Sequence, residues 1–280
     1  MRAWFFVLLG GCQSSQSQMQ SLASANGHRL VYLPTQPFTL LAALPERPVG
    51  EILRVYIEGD GHAWIHADRP SLDPTPSNLL VAELALEDPN PSVYLARPCQ
   101  YIEQTDCTNN WWTSARYAPE IVASLDAALN LLKTRLGNQK FELIGYSGGA
   151  TLALLLAEQR TDIASLQTLA GNLSPEQWTQ QQGLAALTQS LQPNLASSEF
   201  TGIKQRHLAG AADQIIPAKL IRQSVEQLSQ RGCVEFHLML GIGHQSGWLK
   251  AWQKWRARSI ECSQPALESD SPPQPHLPTE

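Results

Sequence analysis

The sequence predicts an α/β fold with one mostly parallel central sheet and helices on both faces. Apolar segments of strand length alternate along the chain with segments whose apolar residues have helical spacing. The 280 residues are 43% apolar and 16% charged, which suits a large core and excludes a disordered chain. Strands that alternate with helices usually form a parallel sheet that the helices cover on both sides.

The alternation begins with a predicted hairpin and ends with a helix. Strands are predicted at 29–33, 38–44, 52–58, 92–96, 141–146, 163–170, 205–209 and 234–240. Helices are predicted at 114–136, 148–159, 217–229 and 248–259. The first helix has apolar residues at helical spacing from Ile121 to Leu132, and Gly137 follows as a stop signal. The second has no charge before Glu158, which predicts that it is buried.

The N-terminus has the pattern of an export signal. Arg2 precedes an apolar run at 3–9 that is far too short to cross a bilayer. The tetrapeptide Leu9-Gly10-Gly11-Cys12 resembles the lipobox of bacterial lipoproteins, whose cysteine is lipidated after cleavage. This resemblance implies a signal peptide at 1–11 and a membrane anchor of acyl chains on Cys12. Gln13 resembles an outer-membrane sorting signal, so we expect the cell envelope and the periplasmic side of the outer membrane. The alternative is a buried apolar strand with an incidental cysteine.

Two polar segments flank one predicted domain at 27–262. Residues 12–26 are rich in Ser and Gln, which predicts a flexible tether. Residues 263–280 are rich in Pro, Ser and acidic residues, which predicts a disordered tail. The net charge is -5 and the sequence has no basic cluster, so nothing in its charge pattern indicates nucleic-acid binding.

Four cysteines remain in the predicted mature chain besides Cys12. An even number in an exported protein indicates disulfides. Of the three possible pairings, the most local joins Cys99 to Cys107 and Cys233 to Cys262. Neither pair has zinc-ligand spacing, and we predict no metal and no cofactor.

A serine lies on a glycine-rich turn after the segment 141–146. Gly145-Tyr146-Ser147-Gly148-Gly149 matches the pattern Gly-x-Ser-x-Gly. A tight turn from strand to helix exposes the serine hydroxyl, and glycines two residues away on either side allow the strand and the helix to approach. We therefore predict Ser147 as a nucleophile, the alternative being an ordinary glycine-rich turn.

The hydroxyl needs an adjacent base to act as a nucleophile at neutral pH. His207 and His237 lie within predicted strands, whereas His244 lies in a glycine-containing loop after the last strand. Such a loop can carry an imidazole to the serine, so we predict His244 as the base. The alternative is an exposed loop histidine.

Asp213 is the predicted acid. It follows a predicted strand and Gly210, and it precedes a helix that begins near Pro217. An aspartate there accepts the imidazole N–H and fixes the tautomer of the base. The alternative is a turn-forming aspartate.

The order Ser, Asp, His is similar to that of the α/β-hydrolase superfamily, and the resemblance covers nearly all of 27–262. Five segments also resemble a group of bacterial α/β-hydrolase lipoproteins whose substrates are not assigned. They are Tyr56-Ile57-Glu58-Gly59-Asp60-Gly61, Leu95-Ala96-Arg97-Pro98-Cys99-Gln100-Tyr101, Gly145-Tyr146-Ser147-Gly148-Gly149, Ala170-Gly171-Asn172-Leu173 and Gly241-Ile242-Gly243-His244. The resemblance implies the fold and the Ser-His-Asp triad, and it leaves the substrate open.

The loop after 52–58 is similar to the His-Gly-x loop of many α/β-hydrolases, with Glu58 in place of the histidine. The resemblance implies an oxyanion hole made by the backbone N–H groups of Asp60 and Gly148. A carboxylate facing an oxyanion would oppose it, so we expect Glu58 and Asp60 to form hydrogen bonds elsewhere.

Other residues are candidates for lining a pocket. Five tryptophans in predicted loops or at helix starts could contact substrate, with packing in the protein body as the alternative: Trp64, Trp111, Trp112, Trp178 and Trp248. Residues 172–200 could form a small cap. Arg97 and Arg116 could bind an anionic group, although a structural salt bridge is the favoured role.

Taken together, these features predict a membrane-tethered serine hydrolase that acts on a carboxylic ester or related acyl compound. Its expected partners are a small-molecule acyl substrate and the membrane. The alternative is a non-catalytic envelope protein that uses the same scaffold for binding.

Overall fold

A computed structural model describes residues 14–66 and 68–261. The strands are β1 (His28–Pro34), β2 (Thr39–Pro45), β3 (Ile52–Ile57), β4 (Trp64–His66), β5 (Arg69–Pro70), β6 (Ser92–Leu95), β7 (Lys140–Tyr146), β8 (Ile163–Leu169), β9 (Lys204–Gly210) and β10 (Val234–Met239). The helices are α1 (Ser15–Ala25), α2 (Leu80–Leu86), α3 (Pro119–Leu136), α4 (Gly148–Ala157), α5 (Pro175–Gln182), α6 (Ala218–Leu228) and α7 (Trp248–Trp255). Short 3₁₀ helices lie at Asn109–Trp112 and Ser198–Phe200.

Eight strands form the central sheet in the order β1-β2-β6-β3-β7-β8-β9-β10. The contacts β1–β2 and β2–β6 are antiparallel, and the remaining five are parallel. The carboxyl ends of β3, β7, β9 and β10 therefore meet at one edge of the sheet. In open α/β sheets this edge is where ligands bind.

The sheet is buried on both faces. Along β3, Leu53, Val55 and Ile57 join an apolar cluster that includes α3, α4 and α6. Tyr56 points the other way, into a second cluster that includes α1, α2 and α7. Alternate residues of a strand face opposite sides of a sheet, so helices cover both faces, as the sequence predicts.

The predicted flexible tether at 12–26 is wrong over 15–25, which form helix α1. The Ser14 hydroxyl caps the helix by accepting a hydrogen bond from the Ser17 N–H. Met19 and Ala23 lie four residues apart on one face, and both are fully buried in the second cluster. Two apolar residues at this spacing are enough to dock a short helix, although the rest of its surface is Ser and Gln.

Three other elements were not predicted, namely α2, α5 and the hairpin β4–β5. The predicted helix at 114–136 begins five residues later, because Pro119 occupies its first position. Its predicted stop is confirmed, since Gly137 caps it with a φ of 78°.

One of the predicted disulfides is present. Cys99 is bonded to Cys107 across eight sequence positions. Cys233 is also disulfide-bonded, and Cys262, its predicted partner, lies outside the described residues. The predicted signal peptide, the lipidation site Cys12 and the tail at 263–280 lie outside them as well.

None of the helices in the described ranges has the length and apolar character needed to cross a bilayer.

Candidate active site

Ser147 lies on a sharp turn between β7 and α4. Its φ of 51° and ψ of -120° lie outside the regions that residues other than glycine usually adopt. The backbone around it is crowded. A Cβ on Gly145 would lie 2.6 Å from the Ala150 Cα, and a Cβ on Gly149 would lie 2.6 Å from the Glu58 carbonyl oxygen. The turn therefore requires glycine two residues before and two residues after Ser147.

Ser147, His244 and Asp213 form a continuous chain of hydrogen bonds. The Ser147 hydroxyl donates to His244 Nε2 over 3.0 Å, and His244 Nδ1–H donates to Asp213 Oδ2 over 2.8 Å. This direction follows because a carboxylate accepts hydrogen bonds and does not donate them. The Asp213 side chain is fully buried, and the His244 side chain is 13% exposed. The fold thus brings together side chains that lie up to 97 positions apart in the sequence.

The loop after β9 fixes the Asp213 carboxylate. Its Oδ1 accepts hydrogen bonds from the backbone N–H groups of Ile215 over 2.8 Å and Ile216 over 2.9 Å. A Cβ on Gly210 would lie 2.6 Å from the Ile242 carbonyl oxygen, so this loop and the His244 loop are in close contact. One carboxylate oxygen is bound to the turn, and the other faces His244.

The His244 loop is held from two sides. The His244 carbonyl oxygen accepts hydrogen bonds from the Tyr146 hydroxyl over 2.8 Å and from Trp248 Nε1 over 2.9 Å. Tyr146 immediately precedes the nucleophile, and Trp248 is the first residue of α7. This role of Tyr146 cannot be predicted from the sequence, because no spacing rule links Tyr146 to a loop 98 positions away.

Comparisons with solved structures agree with this architecture. Searches with the sequence find no matching family model and no curated relative. An esterase from Pyrococcus furiosus is 12% identical with a TM-score of 0.59, over 88% of this chain and 93% of that chain. A serine hydrolase homologue from Coxiella burnetii is 19% identical with a TM-score of 0.53, over 81% and 93%. A serine hydrolase without lid from Xanthomonas campestris is 16% identical with a TM-score of 0.51, over 81% and 94%.

The chain has the α/β-hydrolase fold. The fold class predicted from the sequence is therefore confirmed. In this fold the nucleophile lies on a sharp turn from a strand into a helix, and Ser147 lies on such a turn between β7 and α4.

The α/β-hydrolase fold places the loop after β3 against the turn that carries Ser147. A Cβ on Gly59 would lie 3.3 Å from the Ser147 Cβ, and a Cβ on Gly148 would collide with the Asp60 carboxylate. The backbone N–H groups of Asp60 and Gly148 donate no hydrogen bond to any residue that the structure describes. Both residues lie next to the turn that carries Ser147, and their role in an oxyanion hole stays a prediction.

The Asp60 carboxylate is held by two buried arginines. Arg97 donates to Oδ1, and Arg116 donates to Oδ2 over 2.7 Å. The arginine side chains are only 4% and 5% exposed. Burial by itself raises the pKa of Asp60, but Arg116 and Arg97 outweigh burial and hold this pKa below its usual value. Both arginines therefore have the structural role that the sequence favoured.

The Glu58 carboxylate also has hydrogen-bond partners of its own. It accepts hydrogen bonds from the Gly59 N–H and from the Tyr94 hydroxyl, both over 2.9 Å. Burial raises the pKa of Glu58 to about 7, although the Gly59 N–H, the Tyr94 hydroxyl and Arg97 each act to lower it.

A pocket of about 300 Å³ opens beside Ser147 and His244. Trp64 and Trp178 line it together with Ser147, His244 and Arg116. The other three candidate tryptophans do not line it: Trp111 and Trp112 pack with the first apolar cluster, and Trp248 with the second. The predicted cap contributes α5, which carries Trp178.

The other two histidines considered as bases lie elsewhere. His207 is fully buried on β9 and hydrogen-bonds to Thr168 Oγ1 and Gln205 Oε1, and burial lowers its pKa to about 3. His237 pairs with Glu235 on β10 at 3.1 Å. His244 is the only one of the three that contacts Ser147 in the described structure.

Across residues 14–66 and 68–261, no group of three or more His, Cys, Asp or Glu side chains could hold a metal ion.

Proposed function

We propose that this protein is a serine hydrolase that cleaves a carboxylic ester or a related acyl compound. The observation that carries the proposal is the hydrogen-bonded chain from Ser147 through His244 to Asp213. The similar structures from Pyrococcus furiosus and Coxiella burnetii, an esterase and a serine hydrolase homologue, support a hydrolytic reaction on this scaffold.

The proposed reaction proceeds through an acyl-enzyme. Ser147 attacks the substrate carbonyl while His244 takes its proton, and Asp213 stabilises the resulting imidazolium. The N–H groups of Gly148 and Asp60 stabilise the oxyanion. His244 then donates the proton to the leaving group, and it next activates the water molecule that hydrolyses the acyl-enzyme.

The pocket favours a small substrate. Its volume of about 300 Å³ lies at the lower end of the range for small-molecule sites. Trp64, Trp178 and Ile215 supply apolar surface, and the Arg116 guanidinium at the pocket wall is paired with Asp60. We propose a small acyl compound with an apolar portion as the substrate.

The decisive test is covalent labelling by a fluorophosphonate, together with the kinetics of p-nitrophenyl acetate hydrolysis. We expect labelling of the wild-type protein and an initial burst of p-nitrophenol. Ser147→Ala should abolish labelling and lower kcat by about 10⁴-fold or more. Ser224→Ala, which changes a fully buried serine on α6, is the matched control and should remain labelled.

Two outcomes would contradict the proposed reaction. One is a folded wild-type protein that neither reacts with the probe nor hydrolyses esters. The other is labelling that survives Ser147→Ala. The first outcome would favour a binding protein built on the same scaffold.

We also propose that acyl chains on Cys12 attach the protein to the bacterial cell envelope, on the periplasmic side of the outer membrane. The support is the motif Leu9-Gly10-Gly11-Cys12 followed by Gln13. Mass spectrometry of the N-terminal peptide should show diacylglycerol on Cys12, and Cys12→Ser should move the protein into the soluble fraction. An unmodified Cys12 in membrane-bound protein would contradict this proposal.

A further inference from the structure

The peptide between Gly59 and Asp60 carries one of the two proposed oxyanion donors. This peptide is trans, so the Gly59 C=O and the Asp60 N–H lie in one plane and point in opposite directions. Gln100 Nε2 donates a hydrogen bond to the Gly59 carbonyl oxygen over 3.1 Å. The contact that holds this carbonyl therefore also sets the direction of the Asp60 N–H.

Gln100 is itself held in one orientation. Gln100 is only 1% exposed, and its Oε1 accepts a hydrogen bond from the Arg97 backbone N–H over 2.9 Å. The Arg97 N–H can only donate and the Gly59 carbonyl can only accept, so the amide of Gln100 fits in one way. The Gln100 side chain thus connects the backbone of Arg97 to the oxyanion loop.

The Asp60 side chain is fixed as firmly as its peptide. Arg97 donates one guanidinium N–H to Asp60 Oδ1 and another to the Arg116 carbonyl oxygen. Arg116 donates to Asp60 Oδ2 and, through Nε, to the Thr113 carbonyl oxygen over 2.8 Å. Two positive charges therefore surround one negative charge. The loop presents no net negative charge to an oxyanion, although an aspartate lies within it.

We propose that Gln100 and Arg97 are positioning residues for the oxyanion hole. Through the Gly59 carbonyl and the Asp60 carboxylate, they keep the Asp60 N–H directed beside the Gly148 N–H. This inference rests on the proposed hydrolase function. Neither side chain lines the pocket beside Ser147, so an effect of either on turnover is indirect, and the contact that the two share is the loop of Gly59 and Asp60.

The test measures kcat and KM for p-nitrophenyl acetate in Gln100→Met and Arg97→Lys. Methionine fills the space of Gln100 but cannot hold the Gly59 carbonyl. Lysine keeps the charge of Arg97 but lacks the planar guanidinium fork that holds Asp60 and the Arg116 carbonyl in one fixed geometry. We expect kcat to fall about 10- to 100-fold in each variant, because a misdirected oxyanion donor acts mainly on the transition state. KM should change less than about 3-fold.

A second measurement separates positioning from loss of stability. A trifluoromethyl ketone forms a tetrahedral adduct with the serine, and its inhibition constant should rise by the same factor as kcat/KM falls. Fluorophosphonate labelling at Ser147 should persist at a lower rate, which shows that the variants remain folded. Should Gln100→Met not fold, Gln100→Glu replaces it and is assayed at alkaline pH, because an ionised carboxylate still accepts from the Arg97 N–H but cannot donate to the Gly59 carbonyl, whereas a protonated carboxyl group could.

Two control variants match the burial and bonding of the test residues. Gln167 is 2% exposed and bonds to Glu142 and Arg206, and Arg54 pairs with Asp88 and Glu142. Gln167→Met and Arg54→Lys should lower stability and leave kcat within about 2-fold of the wild type.

The inference is overturned if Gln100→Met and Arg97→Lys keep wild-type kcat, or if the controls lose kcat to the same extent. A folded wild-type protein that is neither labelled nor active would refute the proposed function itself, which is a different result.

Discussion

Glu58 is an acidic side chain whose surroundings change its chemistry. It is 4% exposed, and burial raises its pKa to about 7, while the Gly59 N–H, the Tyr94 hydroxyl and Arg97 act to lower it. Near neutral pH the carboxyl group is therefore divided between its two forms. The sequence showed only that a glutamate stands at the start of the loop after β3, where the similar loop of many α/β-hydrolases has a histidine. The burial that makes it titrate near pH 7 comes from packing against β6.

Glu58→Gln should change the pH dependence of stability. In the unfolded chain the pKa is close to 4.5, so the unfolded state loses this proton first as the pH rises. The stabilisation by protonated Glu58 is fully present below about pH 4.5 and is lost by about pH 7, and it amounts to about 3 kcal/mol. Urea unfolding measures this. The free energy of unfolding of Glu58→Gln should not show this decrease between pH 4.5 and 7.5.

The exposed Glu103 supplies the control for this measurement, because Glu103→Gln should keep the pH dependence of the wild-type protein. Parallel stability curves for the wild type and Glu58→Gln would show that the titration of Glu58 is not coupled to folding.

At the scale of elements, the docking of helix α1 shortens the segment that could separate the domain from a membrane. Met19 and Ala23 dock it against β1 and α2, and Gln16 donates a hydrogen bond to the Tyr32 hydroxyl over 2.7 Å. Cys12 lies only two residues before Ser14, and two residues span at most about 7 Å. Under the proposed lipidation, the domain would lie against the membrane surface rather than at the end of a long tether.

Met19→Ala tests whether α1 is part of the folded domain. Truncating a fully buried methionine should lower the free energy of unfolding by about 2–3 kcal/mol in urea denaturation. Gln20→Ala, on the exposed side of the same helix, should change it by less than about 0.5 kcal/mol. If both changes leave the free energy of unfolding unaltered, α1 is not part of the folded domain, and the flexible tether predicted from composition is correct.

At the scale of the whole molecule, Arg206 ties the last strands to the end of the chain that the structure describes. It is 1% exposed, pairs with Glu235 of β10, and donates to the carbonyl oxygens of Arg258 over 2.9 Å and Ser259 over 2.5 Å. These contacts join β9, β10 and the segment after α7. The His244 loop lies between β10 and α7. The contacts of Arg206 therefore hold the chain both before and after the loop that carries the proposed base.

Arg206→Met should lower the free energy of unfolding by about 3–5 kcal/mol, because it leaves Glu235 and the carbonyl groups of Trp255, Arg258 and Ser259 without their buried partner. Thermal and urea unfolding measure this loss. Arg222→Met, at an exposed site on α6, is the control and should be nearly neutral. A similarly small effect at Arg206 would mean that water replaces its hydrogen bonds.

The sequence by itself determined the features that depend on neighbouring residues. Apolar periodicity gave the strands of the central sheet and the long helix α3, because burial of one face imposes a local spacing. The glycines around Ser147 gave the turn, because a side chain at either position would collide with nearby backbone. Export and lipidation at Cys12 remain predictions of the sequence.

Only the tertiary structure decided which distant residues meet. Composition could not show that a Ser- and Gln-rich segment docks as α1, because two buried side chains outweigh an otherwise polar surface. No spacing links Tyr146 to the His244 carbonyl, or Gln100 to the Gly59 carbonyl. These contacts join segments that the chain separates and the sheet brings together, so their geometry exists only once the strands are paired.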